Sequence, residues 1–326
     1  MNKIAFFEVQ EWEIDFLRKN FPNSIITNEK LTSENVAQFV ENDIISTFLY
    51  SDLNEKVLSN FQNLVLIASR STGIDHIDQN YCTKNEIKIA NVPEYGSSTV
   101  AEHTFALILA LTRKIYPSIK RVKDMEFSHS GLTGMDIEGK TLGLVGLGKI
   151  GKKMLAIAHG FSMNVIAYNR SEDESLVNLP NFKYAPLDFV LQNADIISLH
   201  LPLTPETRHI ISDKNINNFK MGAFLVNTAR GALIQTECLL DGLSSGRLAG
   251  VGLDVLEEEE ELDEEITLLT RDSLKGIELK NLLYDHILMT HPKVVITPHN
   301  AFNSREALQR ILEVTAKNIN DFTQSQ

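Results

Sequence analysis

One short glycine-rich segment constrains the fold of this chain more than any other feature of its sequence. It reads TLGLVGLGKIGK over Thr141–Lys152, so three glycines have the spacing G-x-G-x-x-G between an apolar run and a helical pattern. In that setting the first glycine allows a tight turn, the second lets a pyrophosphate approach the backbone, and the third lets the helix pack on the strand. Free N–H groups at the helix N-terminus would face the phosphates. The pattern predicts a dinucleotide-binding turn made of Gly146, Gly148, Lys149, Ile150 and Gly151.

Short β-branched runs alternate with helical patterns along the whole chain. The runs before residue 98 are Lys3–Phe7, Ile44–Leu49, Leu64–Ala68 and Ile87–Ala90. The later runs are Thr141–Val145, Asn164–Tyr168, Asp195–Leu199, Ala223–Asn227, Ala249–Asp254 and Val294–Thr297. Such alternation is typical of βαβ units, and the later set matches a complete dinucleotide-binding sheet. The sequence therefore predicts an α/β fold with two doubly wound parallel-sheet domains.

The boundary between the two predicted domains falls near residue 98, at the start of a long helical pattern over Thr99–Lys120. Pro117 is expected to kink or end that helix. The last helical pattern, Ser304–Phe322, is expected to return to the first domain. The predicted domains are residues 1–98 together with 302–326, and residues 99–301 as the part that binds the dinucleotide.

Composition and charge argue against several classes of function. Lysine and arginine number 31 against 43 acidic residues, and the net charge of −12 argues against nucleic acid or an anionic membrane surface as a partner. Cys82 and Cys238 have neither CxxC nor cysteine–histidine spacing, so we expect no disulfide framework and no metal. There is no apolar run of membrane-spanning length and no signal-peptide pattern. We expect a cytoplasmic protein with a small-molecule ligand.

The residues after the second strand of the dinucleotide-binding part leave the choice of cofactor open. A carboxylate at this position would bind the ribose 2′-hydroxyl of NAD(H). The chain has Asn169 and Arg170 instead. Arg170 could pair with the 2′-phosphate of NADP(H), and Asn169 could equally hydrogen-bond a free 2′-hydroxyl. Both cofactors therefore remain possible.

Three polar side chains follow three of the predicted strands, and parallel strands end at one edge of a sheet. Arg230 lies in NTARG, one of the glutamates 257–259 in GLDVLEEE, and His299 in TPHNAF. Histidine can exchange a proton with a substrate oxygen, and a nearby carboxylate raises its pKa. Arginine can hold a carboxylate with two parallel hydrogen bonds. The set favours hydride transfer to or from a substrate that carries a carboxylate.

The segments GLGKIG, NTARGALI, GLDVLEEE, TPHNAF, STGIDHID and NVPEYGSSTVAEH together resemble the D-isomer-specific 2-hydroxyacid dehydrogenase family over essentially the whole chain. The resemblance implies a flavodoxin-like substrate-binding domain, a Rossmann domain inserted into it that binds NAD(P), and a homodimer. It implies that the enzyme transfers a hydride between the cofactor and C2 of a small 2-hydroxy or 2-oxo acid.

The resemblance also implies a role for individual residues. His299 would be the acid/base, Glu259 the carboxylate that polarises it, and Arg230 the ligand of the substrate carboxylate and carbonyl. Glu259 follows from the spacing D-x-x-x-x-E, and Glu257 and Glu258 stay open as alternatives within the acidic run. Backbone amides at Thr72 and Gly73 would hold the other carboxylate oxygen. Further cofactor contacts are implied for His200, Pro202, Thr207, Thr228, Ala229 and Asp254.

Two features favour the D-lactate dehydrogenase branch of this family, with D-lactate and pyruvate as substrates. Tyr95 in VPEY matches a tyrosine that faces the substrate in that branch, and the long stretch between Glu259 and His299 also resembles it. The alternatives are a glyoxylate/hydroxypyruvate reductase or a D-3-phosphoglycerate dehydrogenase. From a different class comes a cofactor-sensing scaffold like the corepressors that share the fold.

Overall fold

The computed structural model describes residues 3–257 and 276–325. It divides into two compact units, Met1–Gly96 with Asn303–Gln326, and Ser97–Phe302. The strands are β1 (Ile4–Phe6), β2 (Ile25–Ile26), β3 (Ile44–Thr47), β4 (Leu66–Ser69), β5 (Lys88–Ala90), β6 (Thr141–Val145), β7 (Asn164–Tyr168), β8 (Phe182–Tyr184), β9 (Ile196–Leu199), β10 (Ala223–Asn227), β11 (Leu248–Leu253) and β12 (Val294–Ile296). The helices are α1 (Ile14–Asn20), α2 (Glu55–Leu58), α3 (Gln79–Lys84), α4 (Ser97–Thr112), α5 (Ile115–Lys123), α6 (Lys149–Gly160), α7 (Leu187–Asn193), α8 (Thr236–Ser244), α9 (Gly276–Thr290) and α10 (Arg305–Gln324).

The first unit contains a parallel five-stranded sheet in the order β2-β1-β3-β4-β5, which is the flavodoxin-like order. Its two central strands, β3 and β4, are buried at every position, as expected for a parallel sheet covered on both faces. The final helix α10 belongs to this unit, and its Leu312 and Ile319 join a core cluster with Phe6 of β1 and Leu66 of β4. Ser304 caps that helix by accepting a hydrogen bond from the Ala307 amide at 3.2 Å.

The second unit contains a parallel seven-stranded sheet in the order β12-β11-β10-β9-β6-β7-β8. The order reverses between β6 and β9, which pair with Leu142 opposite Ile196. Open α/β sheets bind ligands at the carboxyl ends of the strands beside such a reversal. The α/β class with two doubly wound parallel sheets, predicted from the alternating runs, is confirmed.

The helix predicted over Thr99–Lys120 is wrong as a single element. It is two helices, α4 and α5, and Lys114 between them has a left-handed backbone with φ of 51°. Pro117 lies in the first turn of α5 and not in the last turns of one longer helix. A proline in the first turn removes no helical hydrogen bond, so it starts this helix instead of ending one.

Two short strands, β2 and β8, were not predicted from the sequence. They have two and three residues and lie at the edge of each sheet, where little apolar alternation is needed. Among the described residues, no helix is both long and apolar enough to cross a membrane.

Candidate active site

The glycine-rich turn between β6 and α6 is held closely by the chain on two sides and open on the third. Gly146 has φ of +102°, and a Cβ there would lie 2.7 Å from the carbonyl oxygen of His200. A Cβ on Gly151 would lie 2.4 Å from the carbonyl oxygen of Gly146. At Gly148, directly before the N-terminus of α6, no atom of the described residues lies within 4 Å of the Cβ position. The turn thus has the open approach that a pyrophosphate requires, so its residues fit a dinucleotide.

Asn169, just after β7, ties that strand to the glycine-rich turn. Its Oδ1 accepts a hydrogen bond from the Leu147 amide at 3.0 Å, and its Nδ2 donates to the Ser171 carbonyl at 2.6 Å. These contacts fix the Asn169 side chain at the position where NAD-binding sheets carry a carboxylate. Asn169 therefore has a structural role in addition to the cofactor contact predicted for it.

The residues just beyond β7 include both paired and exposed charges. Asp173 is paired with Lys152 at 2.6 Å, and this contact with the Ser175 hydrogen bonds lowers the pKa of Asp173 to about 2. Arg170 is exposed. The pKa of Glu206 is lowered, first by a hydrogen bond from Thr204 and in smaller part by the charge of Arg170. The exposed Arg170 guanidinium thus lies near the carboxyl end of β7, within electrostatic range of Glu206.

The segment after β9 contains three of the predicted cofactor contacts. Burial lowers the pKa of His200 to about 3, and its Nε2 lies 2.9 Å from the Ser198 hydroxyl, so the ring is neutral at ordinary pH. Thr207 donates to the Pro202 carbonyl at 2.7 Å and accepts from the Thr204 amide at 2.8 Å. These bonds give the loop a fixed shape beside the glycine-rich turn.

The loop that carries Arg230 is shaped by the last residue of β10. Asn227 accepts a hydrogen bond from the Ala229 amide at 3.0 Å and donates to the Arg230 carbonyl at 2.8 Å. The Thr228 hydroxyl lies 2.8 Å from that of Thr104 on α4. The Arg230 guanidinium is half-buried and donates to the Ala229 carbonyl at 2.8 Å. Hydrogen bonds with the Asn227 side chain therefore hold the backbone of the loop at Ala229 and Arg230.

Asp254, at the end of β11, organises the turn that carries the predicted acid/base. Its buried carboxylate accepts hydrogen bonds from the Asn300 and Ala301 amides, each at 2.8 Å, and from the Thr297 hydroxyl at 2.5 Å. The His299 amide donates to the Asp254 carbonyl at 2.8 Å. His299 itself has a left-handed backbone with φ of 47°. The side chain of Asp254 thus has a positioning contact with this turn, and its role toward the nicotinamide stays a prediction.

Sequence reasoning did not identify His103, on α4, as part of this arrangement. Its Nε2 lies 3.0 Å from the Thr297 hydroxyl and 3.4 Å from the Asp254 carboxylate. Burial alone would raise the pKa of Asp254, but hydrogen bonds from His103, Thr297 and the amides of residues 300–301 hold it below its ordinary value. Asp254 is therefore ionised at neutral pH. The only sequence signal for His103 is its place in the segment NVPEYGSSTVAEH.

Of the glutamates considered as partners of His299, the structure describes Glu257. Its buried carboxylate accepts hydrogen bonds from the Thr236 amide at 3.1 Å and hydroxyl at 2.9 Å, at the start of α8. Its other oxygen lies 2.5 Å from His209 Nε2 and 3.4 Å from Arg208. Both oxygens are therefore engaged away from His299. Glu258 and Glu259 lie outside the described residues.

In the first unit, the predicted substrate residues lie after β4 and β5. Thr72 donates to the Val92 carbonyl at 2.8 Å, and the Ser71 hydroxyl donates to the Gly73 carbonyl at 2.6 Å. The Tyr95 carbonyl accepts from Arg310 at 2.7 Å. Because β4 and β5 are neighbours, these segments share one carboxyl edge.

The predicted residues of the second unit also share one edge of their sheet. They follow β6, β7, β9, β10, β11 and β12, all parallel. The structure therefore brings the glycine-rich turn, Arg230, Asp254 and His299 to the same carboxyl edge. A histidine, an arginine and a glycine-rich turn along one edge are residue types that suit hydride transfer to a small anionic substrate.

Comparisons with known proteins agree with this chemistry. The family model for the D-isomer-specific 2-hydroxyacid dehydrogenase NAD-binding domain matches residues 105–301. A 2-hydroxyacid dehydrogenase homolog from Zymomonas mobilis is 36% identical, covering 91% of this chain and 88% of the relative. An aromatic 2-oxoacid reductase from Clostridium sporogenes is 35% identical, covering 98% and 96%. The crystal structure of D-lactate dehydrogenase from Aquifex aeolicus, complexed with NAD and lactic acid, has a TM-score of 0.89 at 33% identity, covering 99% and 96%.

Proposed function

Since this chain belongs to the D-isomer-specific 2-hydroxyacid dehydrogenase family, an oxidoreductase family that acts on CH–OH groups, we propose that it interconverts D-lactate and pyruvate. The observation that carries the proposal is the row of the glycine-rich turn, Arg230 and His299 along one sheet edge. The structural similarity to a D-lactate dehydrogenase with lactic acid bound supports the choice of substrate.

Each functional group has a proposed task in the reductive direction. The nicotinamide cofactor supplies the hydride that C2 of the substrate receives. Protonated His299 donates a proton to the carbonyl oxygen, and the proposed task of Glu259 is to favour that protonated form. Arg230 holds the carboxylate and the carbonyl in one plane, and the backbone amides of Thr72 and Gly73 hold the second carboxylate oxygen. Charge that develops on the substrate oxygen is thus met by Arg230 and His299.

We assign the cofactor to residues 99–301 and the substrate to residues 1–98 with 302–326. The family model, which describes an NAD-binding domain, supports the first assignment because it matches residues 105–301. The flavodoxin-like order of the first sheet and the loops at its carboxyl edge support the second.

The cofactor is a nicotinamide dinucleotide, and we propose that the chain binds NADP(H) as well as NAD(H). Asn169 stands where an NAD-binding sheet carries a carboxylate, and Arg170, the next residue, is an exposed cation. Asn169 has a polar side chain for a free 2′-hydroxyl, although both ends of its amide already contact the chain.

We also propose a homodimer formed through the second unit. Helix α5 has no buried residue, and its exposed side chains Ile115, Tyr116, Ile119 and Val122 are followed by Met125 and Phe127, which are 93% and 95% exposed. A cluster of this kind is typical of a surface that another protein chain covers. A second copy of this chain is the occupant that the family resemblance implies.

An aromatic 2-oxo acid is the second candidate substrate, because an aromatic 2-oxoacid reductase is 35% identical over nearly the whole chain. The deciding experiment measures reduction of pyruvate, phenylpyruvate, glyoxylate and hydroxypyruvate with NADH and with NADPH. Highest kcat/KM with pyruvate supports our proposal, and highest kcat/KM with phenylpyruvate or glyoxylate replaces it. No turnover with any of the four acids would favour the cofactor-sensing scaffold.

His299→Ala is the control for that assay. If His299 supplies the proton, this variant loses about 100-fold or more in kcat and binds the cofactor like the wild type. Turnover near that of the wild type would contradict the assignment.

A further inference from the structure

The ligand-binding position of the first sheet is filled by a side chain of the chain itself. The strand order reverses between β1 and β3, where flavodoxin-like sheets bind ligands. Glu8 follows β1 with a left-handed φ of 56°. Its buried carboxylate accepts hydrogen bonds from the amides of Leu49 at 2.8 Å, Tyr50 at 2.9 Å and Ser51 at 3.0 Å, and from the Ser51 hydroxyl. The loop after β3 is thus wrapped around an internal anion.

Arg70 connects this position to the next strand. It follows β4, is 1% exposed, and is the largest fully buried side chain of the described residues. Its Nη2 donates to the carbonyls of Phe7 at 2.6 Å and Glu8 at 3.1 Å, and its Nη1 lies 3.4 Å from the Ser46 hydroxyl. Its Nε lies 3.5 Å from the carboxylate of Glu13. One guanidinium therefore contacts the ends of β1 and β3 and the turn before α1.

The loop that begins at Arg70 contains the proposed substrate residues. The Ser69 and Ser71 hydroxyls lie 2.7 Å apart, and the Ser71 hydroxyl donates to the Gly73 carbonyl at 2.6 Å. The Thr72 carbonyl accepts from Asn91 at 2.7 Å. The Ser71 bonds lie within the loop, and the Thr72 bonds to Asn91 and Val92 tie it to the segment after β5. Arg70 ties the start of the loop to the ends of β1 and β3 on the other side.

We propose that Arg70, with Glu8 and Glu13, is a positioning network that sets the backbone of Ser71–Gly73 for the substrate carboxylate. This inference rests on the proposed function, in which the Thr72 and Gly73 amides bind that carboxylate. Backbone amides have no side-chain freedom to correct an error of placement, and a shift of about 1 Å can cost on the order of 100-fold in activity. The planar fork of arginine holds several carbonyl groups in one fixed geometry, whereas the lysine ammonium is a single point on a flexible stem.

The test compares Arg70→Lys, Arg70→Met and Glu13→Gln with the wild type. A positioning role raises KM for the preferred 2-oxo acid by about tenfold or more in the Arg70 variants and by less in Glu13→Gln. We expect kcat to change by less than about threefold and the dissociation constant of the cofactor to stay at the wild-type value.

Val36→Ala is the matched control, because Val36 is 2% exposed in the same unit and lies on the turn before β3. It lowers stability without removing a hydrogen bond of the network, so its KM should equal that of the wild type. Fluorescence of Trp12, the only tryptophan of the chain, reports whether the turn containing Glu13 is folded in each variant. Glu13→Gln keeps the test decisive if the Arg70 variants do not fold.

The outcomes separate this inference from the proposed function. If the wild type reduces a 2-oxo acid and the folded variants keep its KM, the positioning role is wrong. If the control raises KM as much as the Arg70 variants do, the effect belongs to stability and the role is again wrong. If the wild type reduces no 2-oxo acid, the proposed function fails first.

Discussion

At the residue scale, Gly231 shows how tightly the Arg230 loop is packed. A Cβ at this position would lie 1.8 Å from the Leu256 carbonyl oxygen, which is backbone and has no rotamer to adopt. We predict that Gly231→Ala displaces Arg230 and lowers kcat/KM for the 2-oxo acid by about 100-fold. Steady-state kinetics at constant cofactor saturation measures the effect.

The matched control for that change is Gly160→Ala, at the last position of α6. Nothing lies within 4 Å of a Cβ there, and the residue is helical, so alanine should fit without strain. Equal kinetics for the two variants would show that the close contact at Gly231 does not position Arg230.

A second residue-scale prediction concerns Arg170. If its guanidinium pairs with the 2′-phosphate, Arg170→Ala weakens NADPH binding by about tenfold and leaves NADH binding unchanged, since a charge-assisted hydrogen bond is lost only with NADPH. Titration calorimetry of both cofactors measures this, with Lys153→Ala as a control for loss of an exposed cation. Equal weakening of both cofactors would place Arg170 away from the phosphate.

Some residue contacts follow from the sequence and others do not. The tasks of Gly146 and Gly151 follow from their spacing, because a strand–turn–helix connection leaves little freedom over so few residues. The contact between His103 and Thr297 joins residues 194 positions apart, and nothing in one sequence pairs them. The same holds for Arg70, which a sequence reading would leave on the surface because buried arginines are rare.

At the scale of elements, the segment after β11 contains glutamates with different predicted tasks. Glu257 joins this segment to α8 and to His209, so Glu257→Gln should lower the free energy of unfolding by about 1–3 kcal/mol. It should leave the pH profile of kcat/KM unchanged. Thermal denaturation and pH-dependent kinetics of the same preparation measure both effects.

Glu259→Gln is expected to change the pH profile of kcat/KM and to leave the free energy of unfolding unchanged. In the proposed mechanism Glu259 favours the protonated form of His299 that ketone reduction needs, so in this variant the activity should be lost at a lower pH than in the wild type. A downward shift of the profile in Glu257→Gln, with none in Glu259→Gln, would exchange the two assignments.

The elements themselves were largely predictable. Every long strand run found in the sequence is a strand, because parallel strands buried on both faces require unbroken apolar runs. The division between α4 and α5 was not predictable from hydrophobic spacing, since apolar residues continue across it. It depends on one left-handed residue, Lys114, whose type does not favour that conformation.

At the scale of the whole molecule, the exposed cluster on and after α5 predicts the oligomeric state. We expect sedimentation velocity to give twice the 36.6 kDa mass of the chain. Ile119→Glu, in the middle of α5, should give the monomer, because a buried charge without a partner is costly at an apolar interface.

Met221→Glu is the control, since Met221 is 62% exposed in the same unit but outside this cluster. It should remain dimeric. A wild type that sediments as a monomer, or equal dissociation of both variants, would remove α5 as the interface.

The buried Glu8 carboxylate marks a position in the first unit that could be redesigned. Three consecutive amides, those of Leu49, Tyr50 and Ser51, form a concave donor group of the kind that receives phosphate in other proteins. The Glu8 carboxylate already occupies these three amides, so a phosphate could bind them only in its place. Replacing Glu8 with a shorter side chain would free these amides. Variants of the unit that bind phosphorylated effectors could then be selected.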